Sequence, residues 1–93
     1  IPFGTLLENG LIQPGQKLYF GPEGAVTVVV MADGSLKYGK ITGSIHQIGR
    51  EVQNAPCNGW EHWYYADGKT GERYPINKLR EHMRLIQEQQ IVK

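Results

Sequence analysis

The strongest apolar run of the chain is AVTVVVM, residues 25–31. It is β-branched and nearly all apolar, which is typical of a central strand covered on both faces. Asp33 and Gly34 come soon after it, and this pair predicts a two-residue hairpin turn with SLKYG as the returning strand. KLYF, at residues 17–20, predicts a further short strand.

A helical period replaces this pattern in TGSIHQIGREVQN, residues 42–54. Apolar positions recur at i, i+3 and i+7 and predict one helical stripe, formed by Ile45, Ile48 and Val52. Ser44 is predicted to cap this helix by accepting a hydrogen bond from a backbone N–H. Gly49 weakens the helix, and Pro56 marks its end.

Two further segments predict helices at the ends of the chain. YPINKLREHMRLIQEQQIVK, residues 74–93, has an inner stripe of Ile76, Leu79, Met83 and Ile86. Pro75 lies near its start, where a missing N–H costs nothing. PFGTLLENGLI, residues 2–12, predicts a short helix with Thr5 as its N-cap and Gly10 as its left-handed C-cap.

Aromatic side chains concentrate in CNGWEHWYY, residues 57–65. EHWYYA, which begins at Glu61, predicts a strand, and we expect the face with Trp63 and Tyr65 to join the core. Trp60 then lies at the accessible start of the strand, where its ring can stack on a base. An equally good interpretation makes Trp60 a buried core anchor.

These elements predict an α+β fold, in which a small antiparallel sheet packs with about three helices. The chain of 93 residues fits one compact domain that spans positions 1–93. Because it begins at Ile1 rather than methionine, we expect it to be a piece of a longer protein.

Composition and charge indicate an ordinary globular protein, with 40% hydrophobic and 20% charged residues. No apolar run is long enough to span a bilayer, so we expect no membrane partner. The lone Cys57 excludes an internal disulfide and predicts a reducing, cytoplasmic setting. Lys17 is the one basic residue before position 37, so positive charge gathers in the second part of the chain.

The sequence patterns do not indicate an enzyme. Cys57 with His46 or His62 could suggest a cysteine nucleophile, but a single cysteine beside a turn is more often a packing residue. The histidines and the cysteine lack the tight paired spacings of zinc sites, and no complete phosphate-binding glycine loop is present. We therefore expect no catalytic residue, no metal and no cofactor in this chain.

Binding chemistry is better represented. Ser44 and His46 lie at a predicted helix N-terminus, where backbone N–H groups, a hydroxyl and an imidazole suit a phosphate oxygen. A plain cap and an exposed first-turn residue are the alternatives for these two side chains. Asn58 offers the paired donor and acceptor that read an adenine edge, although Asn58-Gly59 is also a turn signal.

Basic residues complete the predicted binding surface. Arg80 is one position off the inner stripe and is placed to lie across a surface groove, and Arg84 shares its helix face. Ordinary solvated charge is the alternative interpretation of these residues. The predicted DNA-binding residues are therefore Ser44, His46, Asn58, Trp60, Arg80, Lys37, Lys40 and Arg84.

Four motifs follow one another along the chain: PFGTLLENGLIQPGQKLYF, ADGSLKYGKITGSIHQIG, NAPCNGWEHWYY and YPINKLR. Together they resemble the RAMA domain, the C-terminal module of bacterial adenine DNA methyltransferases similar to the cell-cycle-regulated, GANTC-specific enzymes. The resemblance covers nearly the whole chain, and GSIH and CNGW are its most specific parts. The segment DGKTGERYP departs from the pattern in its length and basic charge.

The resemblance implies a non-catalytic DNA-binding domain that assists target recognition. The parent would transfer a methyl group from S-adenosylmethionine to adenine in duplex DNA, with its methyltransferase domain N-terminal to Ile1 and a dimeric assembly. This chain has neither a DPPY-type catalytic motif nor an FxGxG cofactor loop. The family positions tied to DNA binding correspond here to Ser44, Asn58, Trp60 and Arg80.

A second hypothesis stays open, because RAMA-like domains also occur away from methyltransferases. In it, the aromatic cluster packs on a partner, and the chain is a protein-interaction or dimerisation module of a larger enzyme or a chromatin-associated protein. Substitution of Trp60 then changes the oligomeric state rather than the affinity for DNA.

Overall fold

The computed structural model describes residues 2–24 and 26–91, with side chains through Glu88. The strands are β1 (Lys17–Phe20), β2 (Thr27–Val30), β3 (Leu36–Tyr38), β4 (Ile41–Gly43), β5 (Trp63–Ala66) and β6 (Arg73–Pro75). The helices are α1 (Phe3–Glu8), α2 (Ile45–Gln53), α3 (Gly59–His62) and α4 (Asn77–Ile91). Within these ranges the strands form one antiparallel sheet, which confirms the α+β prediction.

The strand order is β4-β3-β2-β1-β5-β6, so β1 pairs with both its sequence neighbour and the distant β5. One face of the sheet is buried beneath the helices, and its fully buried side chains are Leu18, Val28, Val30, Leu36 and Trp63. The register places Leu18 opposite Val28 and Leu36 opposite Val30, so these side chains share a face.

The apolar run at residues 25–31 forms a strand, but a shorter and less covered one than predicted. β2 begins at Thr27, and the predicted first residue, Ala25, lies outside the described residues. Val28 and Val30 are buried, whereas Thr27 is exposed and Val29 half-buried. Helices cover one face of the sheet, so the prediction of a strand covered on both faces is wrong.

The hairpin after β2 has a three-residue loop rather than the predicted two-residue turn. Met31 and Ser35 close it through a 2.8 Å bond from N–H to carbonyl, and Gly34 adopts φ of 88°. The sequence interpretation also missed β4 and β6, which have three residues each. Strands this short show almost no alternation of their own, and their pairing partners define them.

The helices follow the predicted stripes. Ser44 caps α2 in a reciprocal capping box with Gln47, whose backbone N–H lies 3.1 Å from Ser44 Oγ. Pro2, rather than the predicted Thr5, is the N-cap of α1, which begins two residues earlier than its cap signal. Gly10 adopts the predicted left-handed conformation, with φ of 75°. Ile76 and Met83 of the last stripe are buried. α4 begins only at Asn77, however, so Ile76 precedes the helix, and Pro75 belongs to β6 rather than to the predicted first turn.

Gly49 has a packing reason to occur inside α2. A Cβ atom at this position would overlap Cys57 Sγ and come within 3.5 Å of Trp63 Nε1. Glycine at this position lets α2 approach both Cys57 and the buried Trp63 closely, which offsets the cost of glycine within a helix.

The aromatic stretch divides differently from the prediction. Residues 59–62 form the single helical turn α3, because the Asn58 side chain caps it by accepting the Trp60 N–H at 3.2 Å. The strand begins only at Trp63, which is fully buried. Tyr65 packs half-buried against the core, so the predicted inner face of this strand is confirmed.

Candidate functional site

A hollow of about 310 Å³ lies where α1, the β2–β3 turn, α2 and α3 meet. Its wall includes Ser44 and His46 from the start of α2, Phe3 from α1, and Trp60 from α3. Asp33 from the turn also lines it, and Asp33 Oδ1 accepts both the N–H and the hydroxyl of Ser35. These bonds hold the pKa of the Asp33 carboxyl below its usual value.

His46 has a defined hydrogen-bond role beside this hollow. Its Nδ1 accepts the Gly59 N–H at 3.0 Å, which joins the first turn of α2 to α3. A ring nitrogen that accepts a hydrogen bond carries no proton, so the proton of the neutral imidazole is on Nε2. His46 is exposed, and its Nε2–H is therefore a donor on an oriented ring.

Two more contacts fix α2 against α3 and β5. The Ile45 carbonyl accepts a 2.8 Å hydrogen bond from the buried Trp63 Nε1. Gly59 is buried against Ile45 so closely that a Cβ on it would lie 2.7 Å from the Ile45 carbonyl carbon. The position of the α2 N-terminus relative to CNGW therefore depends on the buried indole of Trp63 and on the absence of a side chain at Gly59.

Trp60 is buried, with 6% of its surface exposed, so the prediction of an accessible stacking ring is wrong. α3 turns the indole inward, where it packs edge-on against Phe3 with ring centroids 6.1 Å apart. The Arg80 guanidinium lies over the indole, with Cζ 4.6 Å from the ring centroid. The core-anchor interpretation of Trp60 is the correct one, and Arg80 takes the outer position.

Asn58 is exposed at the N-terminus of α3, and its turn-forming role is confirmed. Its Oδ1 accepts the Trp60 N–H, and its carbonyl accepts from His62 Nδ1 at 2.9 Å. Because Oδ1 already accepts the capping hydrogen bond, only the Nδ2 donor remains of the donor–acceptor pair that was expected to bind an adenine edge.

Three of the eight predicted DNA-binding residues line the hollow: Ser44, His46 and Trp60. Asn58 and Arg80 do not line it, but both contact Trp60, so these five residues form one connected set. We call this set the α2–α3 cluster. The other three do not join it. Lys37 lies on the face of the sheet opposite Leu36, and Lys40 lies at the tip of the β3–β4 hairpin, away from Ser44 at its base. Arg84 is exposed on α4, one turn beyond Arg80.

Cys57 is half-buried beside this region, and burial raises the pKa of its thiol. A thiol with a raised pKa is a poor nucleophile at neutral pH, which favours the packing interpretation. Among residues 2–24 and 26–91, no three histidine, cysteine or acidic side chains are grouped to hold a metal ion. In the same ranges, no helix combines the length and apolar character needed to cross a membrane.

The sequence interpretation missed Phe3, Gly34 and Gly59 as parts of this region. Asn58-Gly59 carried a usable signal, because asparagine followed by glycine marks a turn, and glycine allows close approach of the backbone. Phe3 and Gly34 come from distant parts of the chain, and only tertiary packing brings them to the hollow.

Known proteins similar to this chain include one family and one methyltransferase. A family model described as Restriction Enzyme Adenine Methylase Associated matches residues 1–89. A type II methyltransferase of Haemophilus influenzae, M.HinfI, is 34% identical over 65 residues. That alignment covers 69% of this chain and 18% of the relative, so the chain spans about a fifth of that protein's length.

Proposed function

Because this chain belongs to the Restriction Enzyme Adenine Methylase Associated family, we propose that it is a non-catalytic DNA-binding domain of an adenine DNA methyltransferase. Its α2–α3 cluster contacts the phosphate backbone of duplex DNA through His46, Arg80 and the backbone N–H groups at the start of α2. The parent's chemistry, with S-adenosylmethionine as methyl donor, belongs to a methyltransferase domain elsewhere in a longer protein. GANTC-type specificity, a dimeric parent and a cytoplasmic, nucleoid-associated location are parts of the same proposal.

The observation that carries the proposal is that two donor groups meet at one hollow and a third lies over the Trp60 ring that helps to line it. The N-terminus of α2 presents backbone N–H groups and the positive end of its dipole. His46 adds an oriented Nε2–H, and Arg80 adds a guanidinium seated on Trp60. Phosphate oxygens are the ligands that such donors share in protein–DNA interfaces.

The alternative of a protein-interaction module depended on exposed aromatic rings. Trp60 and Trp63 are 6% and 0% exposed, so neither ring is available to a partner. Among the described residues, the exposed large hydrophobic side chains are Tyr38, Ile41 and Leu85, which lie outside the α2–α3 cluster. The proposal therefore assigns the cluster to DNA.

The first test is Arg80→Gln, which removes the charge and keeps a shorter polar side chain. We expect DNA affinity at low salt to fall about 10-fold for all sequences, and the salt slope of binding to decrease by about 1. Fluorescence anisotropy of a labelled duplex, titrated with the chain at several salt concentrations, measures both quantities.

Lys69→Gln is the matched control, because Lys69 is exposed in the β5–β6 loop outside the cluster and the change in net charge is the same. This control variant should bind DNA nearly as well as the unmodified chain. Equal losses in the two variants, or no binding by the unmodified chain at low salt, would show that the cluster is not a DNA contact.

The second test separates the two nitrogens of His46. In His46→Asn, the amide oxygen can still accept the Gly59 N–H, but the donor at Nε2 is lost. We expect the free energy of unfolding to stay within about 1 kcal/mol and DNA affinity to fall several-fold. His46→Gln reverses the pattern, since its amide reaches the Nε2 position and leaves the Gly59 N–H unpaired.

Urea unfolding and anisotropy on the same two variants give the comparison. If both substitutions change stability and affinity by equal amounts, His46 does not act as an oriented donor.

A further inference from the structure

The helices cover one face of the sheet and leave the other open. The open face carries the strand positions that alternate with the buried ones, as Lys37 does with Leu36. On it, Lys17, Lys37 and Arg73 are exposed, whereas Tyr19, Val29 and Tyr64 are half-buried. This surface lies on the opposite side of the sheet from α2, and it shares no residue with the α2–α3 cluster.

Charge on the open face has one sign. The strand register pairs Val29 with both Lys17 and Lys37, so one strand lies between the two lysines. Their Cα atoms are therefore about 10 Å apart. Arg73 reaches inward from the sheet edge, with Cζ 4.3 Å from the Tyr19 ring centroid. No aspartate or glutamate occupies a strand position of this face.

The open face is unsuited to apolar docking. Among the described residues, the exposed large hydrophobic side chains lie elsewhere: Tyr38 and Ile41 pair on the other face of the β3–β4 hairpin, and Leu85 is on α4. Tyr19 and Tyr64 are opposite each other in adjacent strands and provide an amphipathic floor between the cations. A polyanion complements such a surface better than a protein with an apolar patch does.

We propose that the open face of the sheet is a second nucleic-acid contact, in which Lys17, Lys37 and Arg73 bind backbone phosphates. Nucleic acids present negative charges every few ångström along each strand, which suits several cations on one flat surface. This contact is independent of the α2–α3 cluster, because the thickness of the sheet and the core lies between them. It also gives Lys37 a role that the cluster does not.

The test is the double variant Lys17→Gln with Lys37→Gln, compared with Lys69→Gln plus Lys78→Gln. Both pairs remove the same charge from exposed positions, but the second pair lies off the open face. Anisotropy with a short labelled duplex, and with one of its single strands, is measured between about 50 mM and 200 mM salt. We expect the first pair to lower affinity about 10-fold at low salt and to reduce the salt slope by about 2.

Backbone amide NMR shifts locate the contact directly. DNA added to the unmodified chain should shift the amides of Tyr19, Val29 and Lys37 in addition to those near His46. Loss of the first set of shifts in the Lys17/Lys37 variant, with the fold retained, supports the proposal. Equal affinities for the two double variants, or shifts confined to the α2–α3 cluster, would overturn it and leave the proposed function intact.

Discussion

Trp60→Ala is expected to destabilise the chain by about 3–5 kcal/mol, and so to abolish DNA binding only through unfolding. The indole is 6% exposed and packs against Phe3, so its removal leaves a cavity in the core. It also removes the ring beneath Arg80, whose buried Nε has no hydrogen-bond partner among the described residues. Since small domains are stable by about 5–15 kcal/mol, this loss is a large share of the total.

Urea unfolding followed by circular dichroism measures the change, and Trp60→Phe is the control. Phenylalanine keeps an aromatic ring between Phe3 and Arg80, and we expect it to cost less than half as much as alanine. If Trp60→Ala unfolds at the same urea concentration as the parent chain and yet loses DNA affinity, Trp60 is a surface recognition residue after all.

Gly59→Ala is expected to destabilise the chain by about 2–3 kcal/mol, although it adds only one methyl group. The new Cβ would lie 2.7 Å from both the carbonyl carbon and Cγ1 of Ile45. The Ile45 carbonyl carbon is a backbone atom, and a change of side-chain rotamer cannot displace it. α3 must therefore move away from α2. The hydrogen bond from Gly59 to His46 Nδ1 then lengthens, and the His46 ring loses its orientation.

Gly68→Ala is the matched control, because Gly68 is exposed in the β5–β6 loop and a Cβ there meets nothing within 4 Å. The free energy of unfolding of this variant should stay within about 0.5 kcal/mol of the value for the unmodified chain. Nitrogen chemical shifts of the His46 imidazole report whether the Nδ1 contact survives. Equal stabilities for the two variants would mean that α2 and α3 tolerate separation.

Local signals in the sequence predicted much of the fold. Ser44 was recognisable as a cap because the stripe of Ile45 and Ile48 begins immediately after it. The inward face of Trp63 followed from strand alternation. The orientation of Trp60 did not, because the capping bond that Asn58 Oδ1 accepts from the Trp60 N–H turns a predicted strand into a helical turn and changes the side-chain period.

The candidate site was partly predictable for the same reason. Ser44, His46 and Asn58 lie at helix starts, where capping residues can be recognised from their neighbours in the sequence. The placement of Arg80 over Trp60 depends on how α4 packs, and the separation of Lys37 from the cluster depends on its sheet face. Neither can be obtained without the register of the sheet, which long-range pairing between β1 and β5 completes.

That pairing also sets the order in which the domain can assemble. Strands β1 to β4 are neighbours in sequence and close short loops, whereas the contact of Phe20 with Trp63 closes a long one. Gly59 and Trp60 directly precede β5 in the chain, and Arg80 lies in α4, which comes after it. We expect the hollow to be completed late in folding, so that an anion bound there stabilises the whole closed sheet rather than a local helix.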